Sequence, residues 1–206
     1  MRVVVTYLGE EAPTGCMTDP DLSVGRVGLI LMIISQCLYI PSFLINLHWA
    51  LDLALSIFSI VATLLAVLIF RYFSDVYGST IAKVTFVMTL IATVGLVFDL
   101  LVVLAGLFFL PLVIAGAILL LFTLPAIIVF YILWGVTFVQ VSGDCANRQL
   151  MLAGGITFLV GWTIGLGGLF DIINVISQVV SIIGLILVTI VLFSEDEGGS
   201  KPYPPY

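Results

Sequence analysis

Six long apolar stretches alternate with a few basic residues, and this alternation constrains the chain more than any other feature. A bilayer core about 30 Å thick is crossed by about 20 apolar residues of helix. If each stretch crosses a membrane, all six lysines and arginines fall in segments on the same side of it. They are Arg2, Arg26, Arg71, Lys83, Arg148 and Lys201. Because basic residues accumulate on the cytoplasmic side, the sequence predicts that both termini are cytoplasmic.

The composition points to the same class of protein. The chain has 206 residues, of which 62% are hydrophobic and 9% are charged, whereas soluble domains average roughly 45–50% apolar and about 25% charged residues. We therefore expect a multi-pass protein of the cell membrane whose main partner is the lipid bilayer. The formal net charge of −6 argues against nucleic acid or anionic lipid as a partner.

The fold predicted from these stretches is an all-α membrane protein, a six-helix transmembrane bundle built from three helical hairpins. Residues 1–22 form an N-terminal cytoplasmic tail, 23–194 the transmembrane domain, and 195–206 an acidic, Pro-rich C-terminal tail. The predicted helices are 24–46, 49–70, 81–104, 111–139, 149–167 and 172–193. Their limits follow from turn-forming or polar segments, such as 46–48, 71–80 and 142–147.

Each hairpin opens with a basic residue, Arg26, Lys83 or Arg148, and Gly78 and Gly143 precede the last two of these by five residues. This pattern agrees with a triplicated hairpin. It also agrees with the ordinary way in which a helix leaves the cytoplasmic face, and both interpretations stay open.

Three acids lie toward the outer face, one in each hairpin: Asp52, Asp99 and Asp171. A ring of carboxylates at this level would attract a cation. The interpretation we favour is that Asp52 and Asp171 stabilise the N-terminal ends of their helices, with Asp99 at the interface. Trp49, Tyr39, Tyr72, Tyr77, Tyr131 and Trp134 are predicted to lie in the interfacial aromatic belts.

Two polar stripes continue from these acids at helical spacing. The second span carries Asp52, Ser56, Ser59 and Thr63, and the sixth carries Asp171, Asn174, Gln178 and Ser181. Polar side chains in lipid turn toward neighbouring helices, where they find partners. The stripes are therefore expected to face the bundle, either to line a polar path or, more commonly, to fasten helices together. Gln36, in the middle of the first span, needs a partner as well.

A ridge of small residues marks the fifth span: Ala153, Thr157, Gly161 and Gly165. Small residues at intervals of four allow helix backbones to approach closely. The partner of this ridge is the sixth span or a second protein, and a second copy of this chain is also compatible with it.

No pattern in the sequence indicates an enzyme, a cofactor or a metal. The only histidine is His48, and the three cysteines match no metal or redox motif: Cys16, Cys37 and Cys145. Whether Cys16 pairs with Cys145 is left open. No Lys, Arg, Glu or His is expected near the bilayer centre, where proton pumps and many ion-coupled carriers need such groups.

From FSDVYGSTIAKV onward, and above all in VSGDCANRQLMLAGGITFLVGWTIG and GLILVTIVLFS, the chain resembles an uncharacterised family of archaeal multi-pass membrane proteins. The resemblance covers about residues 25–193. It implies an archaeal cytoplasmic membrane, and it brings no functional residues because the family has no established activity.

The leading hypothesis at this point is a non-catalytic structural or accessory subunit of a larger membrane complex. The lack of catalytic groups, the small-residue ridge and two short tails suited to contact with other subunits favour it. The alternative is a small transporter or channel with a polar path along the second and sixth helices.

Overall fold

The computed structural model describes residues 20–44, 49–106, 110–145, 147–166 and 171–194, and every regular element in these ranges is a helix. The helices are α1 (Pro20–Leu44), α2 (Trp49–Ala66), α3 (Leu68–Tyr77), α4 (Thr80–Gly106), α5 (Leu110–Val141), α6 (Arg148–Leu166) and α7 (Asp171–Ser194). The predicted all-α class is confirmed. The predicted tails lie outside the described residues, except that α1 already begins at Pro20.

Five helices in the described ranges are long and apolar enough to cross a membrane: Pro20–Pro41, Ala50–Tyr77, Thr80–Gly106, Arg148–Leu166 and Ile172–Ser194. The sixth predicted span, 111–139, lies within α5, where Pro125–Val141 forms a shorter apolar stretch. The helix continues through Pro125, as α1 does through Pro41.

The prediction of a loop over 71–80 was wrong for most of that range. Residue Val67 keeps helical dihedral angles, so α2 and α3 form one nearly continuous rod that ends at Tyr77. Two contacts stabilise the part of this rod beyond residue 70. Phe73 is fully buried, and Arg71 forms ion pairs with Asp75, one turn ahead, at 3.8 Å and with Asp21 of α1 at 3.3 Å. The rod stops where Gly78 takes a φ of +62°, a conformation that favours glycine.

The helices follow one another around a ring. Each packs against the next along the chain, and α7 packs against α1, which closes the ring. The closing contact includes the buried Arg26 of α1, whose guanidinium donates a hydrogen bond to the carbonyl of Leu192 in α7 and lies 5.1 Å from the ring centroid of Phe193. A cation is well placed there, because the last carbonyls of a helix lack intrahelical partners. We call the end of the bundle with Arg71, Lys83 and Arg148 the basic end, and the opposite end the far end.

Aromatic side chains fill the interior of the half nearest the basic end. Phe70 of α3 lies 4.8 Å from Trp134 and 5.5 Å from Phe138, both of α5, and Phe158 of α6 lies 6.2 Å from Phe138 (ring centroids). With Phe73, these four residues are fully buried and form what we call the aromatic floor. Trp134, which we predicted to lie in an interfacial belt, packs its ring against apolar rings inside the bundle; its level in a membrane stays a prediction.

Hydroxyl groups fasten α4 to α5. Thr85 and Thr137 share a hydrogen bond of 2.7 Å, and the indole N–H of Trp134 donates to Thr89 at 2.8 Å. All four side chains are buried. Because no water is available in a bilayer to replace these partners, such contacts hold neighbouring helices in register.

The α1–α2 contact depends on a close backbone approach at Gly28. A Cβ atom on this residue would lie 2.1 Å from the backbone nitrogen of Ala66. We expect Gly28→Ala to lower the free energy of unfolding by about 1–3 kcal/mol through overpacking. Thermal unfolding in detergent measures this. Gly143→Ala is the matched control, since its Cβ would meet nothing nearer than 3.9 Å; equal losses in the two variants would contradict the packing assigned to Gly28.

Candidate functional site

The polar stripe of α7 lines a cleft between α6 and α7 near the far end. The cleft has a volume of about 220 Å³ and is lined by Trp162, Gly165, Leu166, Asn174, Ser177, Gln178 and Ser181. It therefore contains Asn174, Gln178 and Ser181 of the predicted stripe. Asp171, the remaining member, is the first residue of α7, and its side chain lies outside the described part of the structure.

This stripe faces the interior of the bundle. Asn174 and Gln178 each lie seven residues before a buried residue, Ser181 and Leu185 respectively, and residues seven apart share a helix face. The opposite face carries exposed apolar residues such as Ile176, as expected of a surface in contact with lipid. The two amide side chains are half-buried, because the interior becomes more open toward the far end.

The stripe of α2 behaves in the same way. Thr63 is buried, Ser59 and Ser56 are half-buried, and Asp52, nearest the far end, is exposed. Ser56 donates a hydrogen bond to the backbone carbonyl of Asp52 at 2.8 Å and lies 3.1 Å from the hydroxyl of Tyr39 in α1. Burial along both stripes decreases toward the far end, which indicates one interior that is closed by the aromatic floor and opens away from it.

The two stripes do not form a single wall, because α1 lies between α2 and α7 in the ring. Two tyrosines lie between the stripes. Tyr39 of α1 lies 3.1 Å from the hydroxyl of Ser56 in α2. Tyr131 of α5 stacks on Trp162 at the cleft, with 3.4 Å between ring centroids. Tyr131 therefore packs at the cleft, and its predicted place in an interfacial belt stays a prediction.

Half of the predicted small-residue ridge packs against α7. A Cβ atom on Gly161 would lie 2.6 Å from the backbone nitrogen of Ser181, and one on Gly165 would lie 2.5 Å from the hydroxyl of Ser177. Ser177 donates to the carbonyl of Gly161 at 2.7 Å. The sixth span is thus the partner of these two glycines.

The other half of the ridge lies elsewhere. Ala153 is exposed and Thr157 half-buried, so neither belongs to the closest part of the contact. Gly154 takes their place, with a Cβ position 3.0 Å from the carbonyl of Gly184 on α7. The four-residue interval in the sequence correctly placed Gly161 and Gly165 on one face of the helix. It could not show that the contact with α7 continues through Gly154.

The acids do not assemble into a ring within the described residues. Asp52 is exposed in the first turn of α2, as a stabiliser of a helix end would be. Asp99 is buried within the bundle, and one of its oxygens accepts a hydrogen bond of 2.6 Å from Thr123 across the α4–α5 contact. In the part of the chain that the structure describes, no group of three or more His, Cys, Asp or Glu side chains is placed to hold a metal ion.

Buried polar atoms without a hydrogen-bond partner among the described residues include Trp162 Nε1 at the cleft, Gln36 Oε1 and Ser35 Oγ of α1, and Asp99 Oδ1 of α4. The sequence predicted that Gln36, in the middle of the first apolar stretch, needs a partner. The role of Trp162 was not predicted, since a tryptophan in an apolar helix gives no sign of which side its indole N–H faces. Buried polar groups normally have partners, so these atoms are candidates for contact with a bound molecule.

Comparison of the chain with protein-family models, with curated proteins and with solved structures gives no match. The resemblance to an archaeal family therefore remains an expectation, and the site has to be interpreted from its own geometry.

The glycine contact between α6 and α7 can be tested with residues of the predicted ridge itself. Gly161→Leu should lower the free energy of unfolding by at least about 1–3 kcal/mol, because the side chain meets the backbone of α7. Ala153→Leu, in the same helix but on an exposed position, should leave it nearly unchanged. Thermal unfolding of both variants in one detergent measures the difference, and a similar loss in Ala153→Leu would show that a second protein or copy packs there.

Proposed function

We propose that the protein is a small transporter that admits a small polar solute from the far side of the membrane into the cleft between α6 and α7. The observation that carries this proposal is the inward orientation of Asn174 and Gln178, which line the cleft instead of facing lipid. The described residues offer no catalytic constellation, so binding and passage are the activities that the site can support without further groups.

Fastening helices together explains the serines of α7 but not its amides. Ser177 donates to the carbonyl of Gly161, and Ser181 lies against Gly161. In contrast, the side chains of Asn174 and Gln178 make no hydrogen bond with any described residue. These half-buried amides line the cleft, where a polar solute would give them hydrogen-bond partners.

The accessory-subunit hypothesis stays as a second candidate because of the aromatic floor. Phe70, Trp134, Phe138 and Phe158 pack across the interior at contact distance, so a solute in the cleft could reach the basic end only after these rings move. A protein that never moves them would bind without transporting and would act through other subunits.

The topology that we propose has six spans, with both termini and the basic end in the cytoplasm and the cleft open to the outside of the cell membrane. It is supported by the position of every described lysine and arginine toward one end of the bundle and by the positive-inside rule.

Solute uptake into proteoliposomes tests the transporter proposal directly. A suitable panel contains glycerol, acetamide, acetate and acetamidinium, which differ in charge but are all small and polar. We expect uptake of at least one of them, and at least a tenfold slower uptake in Gln178→Leu. Val179→Leu is the matched control, since Val179 is exposed on the opposite face. Absence of uptake for the whole panel, together with a stoichiometric partner in a pull-down from native membranes, would favour the accessory subunit.

Accessibility of an introduced cysteine tests the topology. In a variant that lacks the three natural cysteines, Asp75→Cys at the basic end and Lys201→Cys in the C-terminal tail should react with a membrane-impermeant maleimide only after the cells are opened. The side chain of Asp75 is 66% exposed, so access to the reagent is not limited by burial. Labelling of either position in intact cells would contradict the proposed orientation.

A further inference from the structure

Helix geometry brings Gln36 to the level of the inner end of the cleft. Arg26 is opposite Leu192 at the closure of the ring, and α1 and α7 run in opposite directions. Gln36 is ten residues after Arg26 in α1, and Ile182 is ten residues before Leu192 in α7. Gln36 and Ile182 are therefore at the same level, and Ile182 is next to Ser181 at the inner end of the cleft. Gln36 shares a helix face with the buried Leu29, seven residues earlier, so its amide is directed into the bundle.

Two atoms with complementary chemistry are unpartnered in this region. Trp162 Nε1, at the cleft, is a donor without an acceptor, and Gln36 Oε1, one turn deeper, is an acceptor without a donor. Gln36 is 7% exposed, so bulk water does not satisfy it. The cost of leaving such groups without partners in a low-dielectric interior is removed when a bound molecule accepts from the indole and donates to the amide.

The surroundings of these atoms carry no charge among the described residues. No residue that lines the cleft is charged. Arg26 donates to the carbonyl of Leu192, and Asp52 is exposed at the far end of α2. Asp99 lies at the α4–α5 contact, where one oxygen accepts from Thr123 and the other has no partner among the described residues. An ion that entered as far as Gln36 would lose its hydration without gaining a counter-ion, which is strongly unfavourable.

From these observations we infer that the cleft extends inward to Gln36 and binds a small uncharged molecule that carries both a hydrogen-bond donor and an acceptor, such as a small amide or polyol. This inference rests on the proposed function, since it names the class of solute and the depth to which the solute enters. The volume of about 220 Å³ limits the ligand to small molecules.

Three probes of nearly identical shape separate charge from size: neutral acetamide, anionic acetate and cationic acetamidinium. Each is titrated at constant ionic strength into the Trp49→Phe variant of the full chain in lipid nanodiscs, and tryptophan emission is recorded. We expect a saturable change with acetamide only, because the ligand accepts from the Trp162 indole. The change should be absent when Trp162→Phe is added.

The outcomes separate this inference from the proposed function. A saturable response to acetate or acetamidinium but not to acetamide would overturn the uncharged class while leaving a solute site in place. No response to any probe, together with no uptake in proteoliposomes, would overturn the proposed function and the inference with it.

A substitution at Gln36 tests the depth of the site. Gln36→Leu should weaken acetamide binding at least tenfold, yet the midpoint of thermal unfolding should stay the same or rise, because an unpartnered buried amide is replaced by an apolar side chain. A structural role for Gln36 would instead lower the midpoint. Cys37→Leu, the adjacent exposed position, is the control. Unchanged acetamide binding in Gln36→Leu would show that the site ends at Gln178.

Discussion

The architecture depends on the close approach of helix backbones around α7. In a bilayer the lipid chains are as apolar as the helices, so apolar contact alone gives little reason for two helices to associate. Gly161 and Gly184 allow α6 and α7 to approach until side-chain and backbone atoms of the facing helix occupy the space that a Cβ would need. Arg26 then joins the last turn of α7 to α1, and this contact turns a row of hairpins into a closed ring.

The closed ring creates an interior that has to be filled. Large rings fill it at the basic end, where Phe70, Trp134 and Phe158 meet from three helices. Toward the far end the inner faces carry serine, asparagine and glutamine beside Tyr39, Tyr131 and Trp162, and burial decreases along both polar stripes. One helix ring thus contains a sealed half and a polar half, and a candidate site arises only in the second.

Hydropathy and the distribution of basic residues were sufficient to predict the class and most helix limits. α6 and α7 each begin and end within about a residue of their predicted limits, well inside the usual boundary error. The faces were harder to predict. In a soluble helix polarity marks the outer surface, but here both lipid and interior are apolar, so an apolar residue such as Trp134 carries no sign of its side. The threonines of α4 repeat every four residues from Thr85 to Thr93, and this signal could have identified the α4–α5 contact.

The polar residues of the spans differ in what they reveal, and hydroxyl side chains reveal the least. Thr63 and Thr189 each donate to the backbone carbonyl four residues earlier in their own helix, at 2.8 and 2.7 Å. A hydroxyl that is satisfied in this way can face in any direction at little cost. A stripe of serines and threonines is therefore weak evidence for a polar path.

Amide and indole groups are more informative, because they do not find such partners within their own helix. An amide carries two donors and an acceptor that must all be satisfied, and in lipid this requires a neighbouring helix, water or a ligand. Gln36, Asn174 and Gln178 all face the interior, and Trp162 lies beside them. Among the described residues, none of these four shares a hydrogen bond with another side chain in the way that Thr85 and Thr137 do. The candidate site is therefore defined by the groups whose hydrogen-bonding needs the fold leaves unmet, and the hydroxyls around them only shape its walls.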